Sequence, residues 1–215
     1  MQPVKIVRSH RSSVGIQINR DASITVSAPY LYPKFLIDKL LREKEDWIRQ
    51  KQHLVAERIS QDDPDEYWFL GKTYQLAHGK NVKDLVELSD KLYVGSSNPK
   101  FIKTYLISWY KQQARKIIVK RVEHYAAITG AKYRSIGITT ADTRWGSCSS
   151  EKTLNFNWKL VMAPLPVIDY VVCHELAHLT ELNHSRDFWE TVRKMYPLYR
   201  EYRTWLKRHG DRLRV

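Results

Sequence analysis

Five residues near the carboxyl end of the chain, His174-Glu175-Leu176-Ala177-His178, have the types and spacing that can hold a metal ion. On a helix, histidines four residues apart lie on one face, one turn above the other. Two imidazoles placed this way can reach one zinc ion at about 2.0–2.1 Å. Because Glu175 directly follows the first histidine, it projects beside the metal, where it can accept a proton from a zinc-activated water.

A third histidine, His184, follows His178 by six residues, beyond the predicted end of this helix. A turn at Leu182-Asn183 would bring it back as a third ligand. Three protein ligands and one water match the open site of a catalytic zinc. The pattern therefore predicts a zinc hydrolase with one zinc ion per chain. The alternative for His184 is a surface histidine that caps the next helix.

The neighbours of the motif are apolar, among them Val171, Val172, Leu176 and Leu179. A helix that carried the motif by chance on an exposed surface would be polar on several faces. Histidine and glutamate within an apolar helix need polar partners, and a metal ion supplies one. The surroundings of the motif therefore favour a metal site.

Composition places the chain among ordinary soluble globular proteins, with 215 residues, 43% hydrophobic and 27% charged. Residues 1–13 contain no apolar run of a secretory signal, and no stretch is long and apolar enough to cross a membrane, so we expect no membrane partner. The two cysteines do not form a disulfide framework, which predicts a cytoplasmic protein. Cys173 is predicted to be a core residue, whereas Cys148 either packs or lies near the metal.

The net charge of +13 favours acidic partners, of which nucleic acid is the commonest. This charge is concentrated in residues 200–215, where Tyr202 and Trp205 interleave with basic residues. Their helical spacing favours an amphipathic helix that packs its aromatic side chains inward. The net charge and the aromatic content still allow an alternative function, a nucleic-acid-binding protein in which zinc is structural or absent.

The first part of the chain, residues 1–95, is predicted to be a small α+β region. Alternating apolar residues in 4–28 indicate a β-hairpin, and helical spacing from Tyr32-Pro33 to about Ser60 indicates one long helix. Residues 61–65 read as a loop. Four short strands follow at Tyr67–Leu70, Thr73–Ala77, Asp84–Leu88 and Lys91–Val94.

Residues 96–215 are predicted to form a second α+β domain, built around the metal helix. Its elements are a helix from Pro99 to about Thr129, strands at Tyr133–Thr140 and Thr153–Val161, the metal helix from about Val167 to Thr180, a helix from about Ser185, and the basic carboxyl-terminal helix. We expect a small sheet to lie over the metal helix. An edge strand of that sheet could bind a peptide by strand addition.

Four stretches of this second domain together resemble the YgjP-like metallopeptidases, which are related in pattern to the SprT-type minimal zincins. They are Thr143-Arg-Trp-Gly-Ser-Cys-Ser149, the strand Leu154–Leu160, His174-Glu-Leu-Ala-His178, and Asn183-His184-Ser185-x-x-Phe188-Trp189. The resemblance is strong over about residues 100–200. It implies a zincin-like metallopeptidase domain that cleaves protein or peptide substrates. It also implies zinc held by His174, His178 and His184, with Glu175 as the catalytic acid and base.

The sequence departs from the related metzincin pattern at Glu181, which stands where that pattern has glycine. The carboxylate of Glu181 is therefore a competing ligand.

Several further residues are candidates for contacts with substrate or transition state. Arg144, Tyr196 and Tyr199 are candidates for stabilising the oxyanion. Asn155 and Asn157 lie on one face of their strand, where they can orient substrate or a loop, or satisfy backbone groups.

Overall fold

The computed structural model of the protein describes residues 4–19, 21–61, 65–79, 85–141 and 143–215. By its internal contacts the chain divides into two compact units, Met1–Pro64 and Asp65–Val215. The sequence instead predicted two regions that meet at residues 95 and 96. The division into two functional domains at this point stays a prediction. By their contacts, the four strands that the sequence assigned to the first region belong to the second unit.

The first unit contains strands β1 (Val4–Ser9), β2 (Gly15–Ile18) and β3 (Ile24–Pro29), followed by helices α1 (Lys34–Glu43) and α2 (Glu45–Gln61). β2 and β3 form the predicted antiparallel hairpin, and β1 joins β3 in parallel. Alternate residues of β3 are buried with apolar residues of both helices.

The prediction of one long helix in this unit is wrong, because the helix is interrupted at Lys44. Its backbone angles, φ −104° and ψ 13°, leave the helical range. Its amide still donates to the Leu40 carbonyl at 3.0 Å, and its carbonyl accepts from the Ile48 amide at 2.8 Å. The apolar periodicity therefore continues across the break, which is why the sequence pattern did not reveal it. Of the loop predicted at 61–65, residues 62–64 lie outside the described part of the chain.

The second unit begins with a four-stranded sheet in the order β4-β5-β7-β6. Its strands are β4 (Glu66–Phe69), β5 (Lys72–His78), β6 (Val86–Leu88) and β7 (Leu92–Val94), as predicted, although Asp84 of the third predicted strand is not among the described residues. At the β4–β5 turn, the amides of Leu70 and Gly71 donate to the carbonyls of Val161 and Met162 at 2.9 and 3.0 Å. This turn is thereby fastened to the segment that enters the metal helix.

Helix α3 (Pro99–Thr129) follows, as predicted. The Asn98 side chain caps its start by accepting from the Lys100 amide, and Gly130 ends it in the left-handed conformation that favours glycine. Residues on one side of α3 are fully or nearly buried at spacings of four, which places this helix along the core.

A small mixed sheet of order β8-β10-β9 comes next, formed by β8 (Ser135–Thr139), β9 (Gly146–Cys148) and β10 (Thr153–Asn157). β10 runs parallel to β8 and antiparallel to β9. The strand predicted to reach Val161 is too long. It ends at Asn157, whose side chain accepts from the Lys159 amide at 2.9 Å and starts a 3₁₀ helix, Trp158–Met162. An apolar run alone could not distinguish these two buried conformations.

Three helices complete the unit: α4 (Leu165–Ala177), α5 (Arg186–Met195) and α6 (Tyr199–His209). α4 is the predicted metal helix, and it packs against α3, α5, α6 and β9. The small mixed sheet therefore lies over this helix, and the predicted α+β class is confirmed. No helix in the described part of the chain combines the length and apolarity that crossing a bilayer requires.

Candidate metal centre

The metal helix α4 is buried on almost every side, as its apolar sequence predicted. Ten of its residues are buried, including Cys173 and Glu175. Near its start, Asp169 receives two hydrogen bonds from Arg121 of α3, Nε to Oδ1 at 2.5 Å and Nη2 to Oδ2 at 2.8 Å. This ion pair fixes α4 against α3 one turn before Cys173 and the motif histidine that follows it.

The structure brings the three predicted histidines together at the carboxyl end of α4. Their ligand atoms all lie within 4.8 Å of one another. The ring centroids of His174 and His178 are 5.0 Å apart, and His184 lies 5.0 Å from the first and 4.8 Å from the second. The predicted helical spacing thus holds, and the third histidine does return to the other two.

The turn after α4 fixes the orientation of His178. Its Nδ1 lies 2.9 Å from the Glu181 carbonyl oxygen, so Nδ1–H donates and Nε2 keeps a free lone pair. Outer contacts of this kind orient the imidazoles that bind metals. Glu181 therefore acts through its backbone, and its carboxylate is not part of the histidine cluster. Among the described residues Glu181 is not one of those with positive φ, so this turn does not need glycine.

Aromatic side chains of α5 hold the histidines from the other side. Ser185 caps α5 through its hydroxyl, which accepts from the Phe188 amide at 3.3 Å. Phe188 is fully buried, with its ring 4.4–4.9 Å from all three imidazoles. Trp189 lies 5.7 Å from His184 and 5.6 Å from His174. The cap and this aromatic pair together explain why His184 reaches the cluster.

The three imidazoles fit a metal ion. Two nitrogens that bind one tetrahedral zinc at about 2.0–2.1 Å lie about 3.3 Å apart, and Nε2 of His184 is 3.1 Å from Nε2 of His174. Burial, followed by the neighbouring His178, His184 and Arg203, lowers the pKa of His174 to about 3. Burial also lowers the pKa of His184. Both imidazoles are therefore neutral near pH 7, as metal binding requires.

Glu175 is only 4% exposed and lies against β9. A Cβ added to Gly146 would be 2.5 Å from Glu175 Oε1 and 2.7 Å from its Cγ, so the carboxylate packs directly over the glycine backbone. Its Oε2 is buried without a hydrogen-bond partner among the described residues. Burial raises the pKa of Glu175 to about 8, and nearby Arg144 opposes this shift.

A cleft of about 270 Å³ opens over these groups. Around it, β9 supplies Gly146, Ser147 and Cys148, and Arg144 and Leu182 complete the rim. Cys148 thus lies near the predicted metal site, which the sequence left open. Burial and then Glu175 raise the pKa of its thiol.

The other predicted contact residues lie elsewhere. Asn157 satisfies a backbone group, because its Nδ2 donates a hydrogen bond to the Ala141 carbonyl at 2.7 Å. Asn155 pairs with Ser147 across the sheet, whereas Gly146 pairs with Phe156. Strand residues alternate between faces, so Asn155 lies on the face opposite Gly146 and Glu175.

Neither tyrosine candidate lines the cleft. Tyr196 packs against Tyr125 and Tyr202, and Tyr199 stacks on Trp189. Of the three residues predicted to stabilise the oxyanion, Arg144 alone lies among the described residues that line the cleft.

Three features of the site were missed from the sequence. They are the close approach of Gly146 to Glu175, the packing of Phe188 beneath the histidines, and the Arg121–Asp169 pair. A buried acid in an otherwise apolar helix was the available signal for the last of these. The contact between Gly146 and Glu175 joins segments 29 residues apart, so no local pattern encodes it. The packing of Phe188 depends on the turn that brings α5 back against α4.

Comparison with known proteins gives a partial structural likeness and a family. The crystal structure of the metallopeptidase zymogen of Pyrococcus abyssi abylysin is 22% identical in sequence, with a TM-score of 0.39; the match covers 42% of this chain and 93% of that one. With so low an identity and TM-score, this likeness supports no inference about the function of the chain. No curated protein matches the sequence.

The family model described as YgjP-like, metallopeptidase domain, matches residues 12–209. This match includes the three histidines, Glu175 and the cleft, and it confirms the predicted zincin-like fold class. The chain belongs to the YgjP-like metallopeptidase family.

Proposed function

We propose that the chain is a zinc-dependent peptidase in which His174, His178 and His184 hold one zinc ion and Glu175 is the general base. The observation that carries this proposal is the cluster of three imidazoles with a buried carboxylate beside it. Imidazole suits several transition metals, and zinc with three protein ligands is common in hydrolases. No fourth histidine, cysteine, aspartate or glutamate joins the cluster among the described residues, which fits an open catalytic position.

A zinc ion bound there supplies Lewis acidity, which makes water more acidic and polarises a carbonyl group. Glu175 accepts a proton from the attacking water and returns it to the leaving amine. Its enclosed position against Gly146 confines the carboxylate, and no described residue forms a hydrogen bond with its Oε2. The pKa of Glu175, which burial raises, would fall toward the range in which the carboxylate accepts protons near neutral pH if a cation were bound beside it.

Arg144 is the proposed contact for the substrate carbonyl oxygen. It lines the cleft with His174 and Glu175, and its guanidinium charge is close enough to oppose the raised pKa of Glu175. A cation at this place stabilises negative charge that develops on the oxygen during attack.

The edge strand β9 is the proposed support for the peptide backbone. It lies at the end of the β8-β10-β9 sheet, and all three of its residues line the cleft. The unpaired side of an edge strand can add a peptide as a further strand. A substrate bound in this way would run past Glu175.

The alternative, a nucleic-acid-binding protein with structural or absent zinc, has no specific support in the site. A structural zinc closes its fourth position and has no need of a neighbouring base. The cytoplasmic location inferred from the two cysteines also stays a prediction.

The test replaces Glu175 by Gln, a substitution that keeps size and removes the base. We expect hydrolysis of a fluorescence-quenched peptide library to fall by at least about 100-fold, the usual contribution of general acid–base catalysis. Elemental analysis of the same protein should still give about one zinc per chain. Retained hydrolysis would refute the assignment of Glu175.

The matched control is Glu181→Gln, which changes the neighbouring carboxylate that the sequence offered as a ligand. Because Glu181 contacts His178 through its carbonyl, we expect zinc content and hydrolysis to stay near wild type. Loss of zinc in this variant would mean that the carboxylate is a ligand.

A further inference from the structure

A broad groove with a strongly basic lining lies between α5 and α6. Its volume is about 1190 Å³, and its charged residues are Arg186, Arg193, Arg200, Arg203, Lys207 and Glu190. We call it the basic groove. Five cations and one carboxylate give it a large positive excess.

Most of this charge is not neutralised by ion pairs with the residues that the structure describes. The single carboxylate, Glu190, is occupied by Arg193, with Nη2 to Oε1 at 2.7 Å and Nε to Oε2 at 3.1 Å. Within the described part of the chain, the other four cations form no ion pair. Arg200 donates from Nε to the Tyr199 hydroxyl at 3.2 Å, and the rest of its guanidinium remains available. Such a surface is complementary to an anionic ligand.

The basic groove adjoins the metal centre through one side chain. Trp189 lines the groove, and its ring lies 5.7 Å from His184 and 5.6 Å from His174. The Arg203 guanidinium lies 4.6 Å above the same indole. The basic groove and the histidine cluster are therefore neighbours, separated by this one indole.

The aromatic groups of the groove favour a polypeptide over single-stranded nucleic acid. Proteins that bind single strands offer exposed aromatic faces on which bases stack. Here the Trp189 indole already contacts Tyr199, His184 and Arg203, and Tyr199 is only 5% exposed. Guanidinium groups, by contrast, match the planar carboxylates of aspartate and glutamate.

We propose that the basic groove binds an acidic segment of the polypeptide that the metal centre cleaves. This inference rests on the proposed peptidase function and adds a substrate class to it: polypeptides with a cluster of aspartate or glutamate beside the scissile bond.

The test is a binding measurement that does not depend on hydrolysis. It uses the Glu175→Gln protein and two fluorescent peptides of equal length, one with six consecutive glutamates and one with six glutamines. At low salt we expect the acidic peptide to bind at least about tenfold more tightly, the change that one charge-assisted contact produces. The difference should shrink as salt is raised. Wild-type protein stripped of metal by a chelator serves as a second inactive form.

A triple variant, Arg186→Gln with Arg200→Gln and Lys207→Gln, locates the effect. These side chains are exposed, so we expect the fold to be retained and the preference for glutamate to disappear. The matched control removes the same charge from exposed positions of α3, as Lys103→Gln, Lys111→Gln and Arg115→Gln. It should keep the preference.

Equal binding of the two peptides would overturn the proposal, as would an equal loss of preference in both triple variants. Tighter binding of a twelve-residue oligothymidine than of the acidic peptide, abolished by the groove variant, would assign the groove to nucleic acid instead. Hydrolysis of an uncharged quenched peptide by wild type is measured separately. It decides the peptidase function whatever the groove binds.

Discussion

The metal centre and the basic groove meet at Trp189 but are built in opposite ways. At the metal centre, Glu175 and Phe188 are buried, and contacts from α4, α5 and β9 hold the reactive groups. In the basic groove most cations are exposed, and Arg193 alone is paired with a carboxylate of the described residues. Packing therefore fixes the positions of the groups in the first region, whereas the second region presents exposed charge. Changes in the first region should cause large losses, and changes in the second should cause graded, salt-sensitive effects.

The largest expected effect follows from removing the third histidine. In His184→Ala we expect zinc affinity to fall by at least about 100-fold, since even outer contacts of metal-binding histidines contribute 10–100-fold. Competition with a chromogenic chelator measures this affinity. The exposed His124 of α3 gives the control, because His124→Ala should bind zinc like wild type. Unchanged affinity in His184→Ala would leave a site of two histidines.

The substitution Gly146→Ala, which adds one methyl group, tests whether close packing against Gly146 holds Glu175 in its working position. The Cβ of Gly146→Ala would displace Glu175, so we expect kcat to fall by about 100-fold, the cost of misplacing a catalytic group by about 1 Å. Zinc content should stay at one per chain.

Gly95→Ala is the matched substitution, because, apart from its chain neighbours, the nearest atom of a described residue to its added Cβ would be 3.9 Å away. It should leave kcat unchanged. If both variants lost activity equally, the contact between Gly146 and Glu175 would not be the cause.

Two ion pairs of the second unit allow the stability contribution of a buried charge to be compared with that of an exposed charge. Asp169 has 8% of its side chain exposed in its pair with Arg121, whereas Glu190 has 42% exposed in its pair with Arg193. Removing one partner of a buried pair costs about 3–5 kcal/mol, so we expect Asp169→Ala to lower the free energy of unfolding by about 3 kcal/mol. Glu190→Ala should lower it much less, because exposed ion pairs contribute little to stability. Urea denaturation of the two metal-free variants tests this order, and similar values would contradict it.

The smallest expected effect is a gain in the basic groove. Glu190→Gln removes the carboxylate that occupies Arg193, so we expect affinity for the acidic peptide to rise about twofold to fivefold at low salt, in line with exposed ion pairs. Zinc binding should not change. Fluorescence anisotropy at low and high salt measures the gain, and weaker binding of the acidic peptide would argue that Glu190 orients Arg193 for its ligand.

Helical periodicity was enough to predict α3, α4 and the grouping of His174 with His178, because these depend on residues one turn apart. It failed at Lys44, where the break keeps the spacing, and after Asn157, where a buried strand and a buried 3₁₀ helix share an apolar sequence. The placement of Asn155 and Tyr196 likewise depended on which face or neighbour the fold gave them.

By itself, the sequence determined which groups this protein offers: His174, Glu175 and His178 at helical spacing, and a strongly basic carboxyl-terminal region. Only the tertiary structure decided that His184 joins the first two histidines, that Gly146 makes room for Glu175, and that α5 and α6 form a groove beside them. The physical reason is one of range. Helical spacing is set by local hydrogen bonds, whereas these contacts depend on how segments distant in the chain pack together.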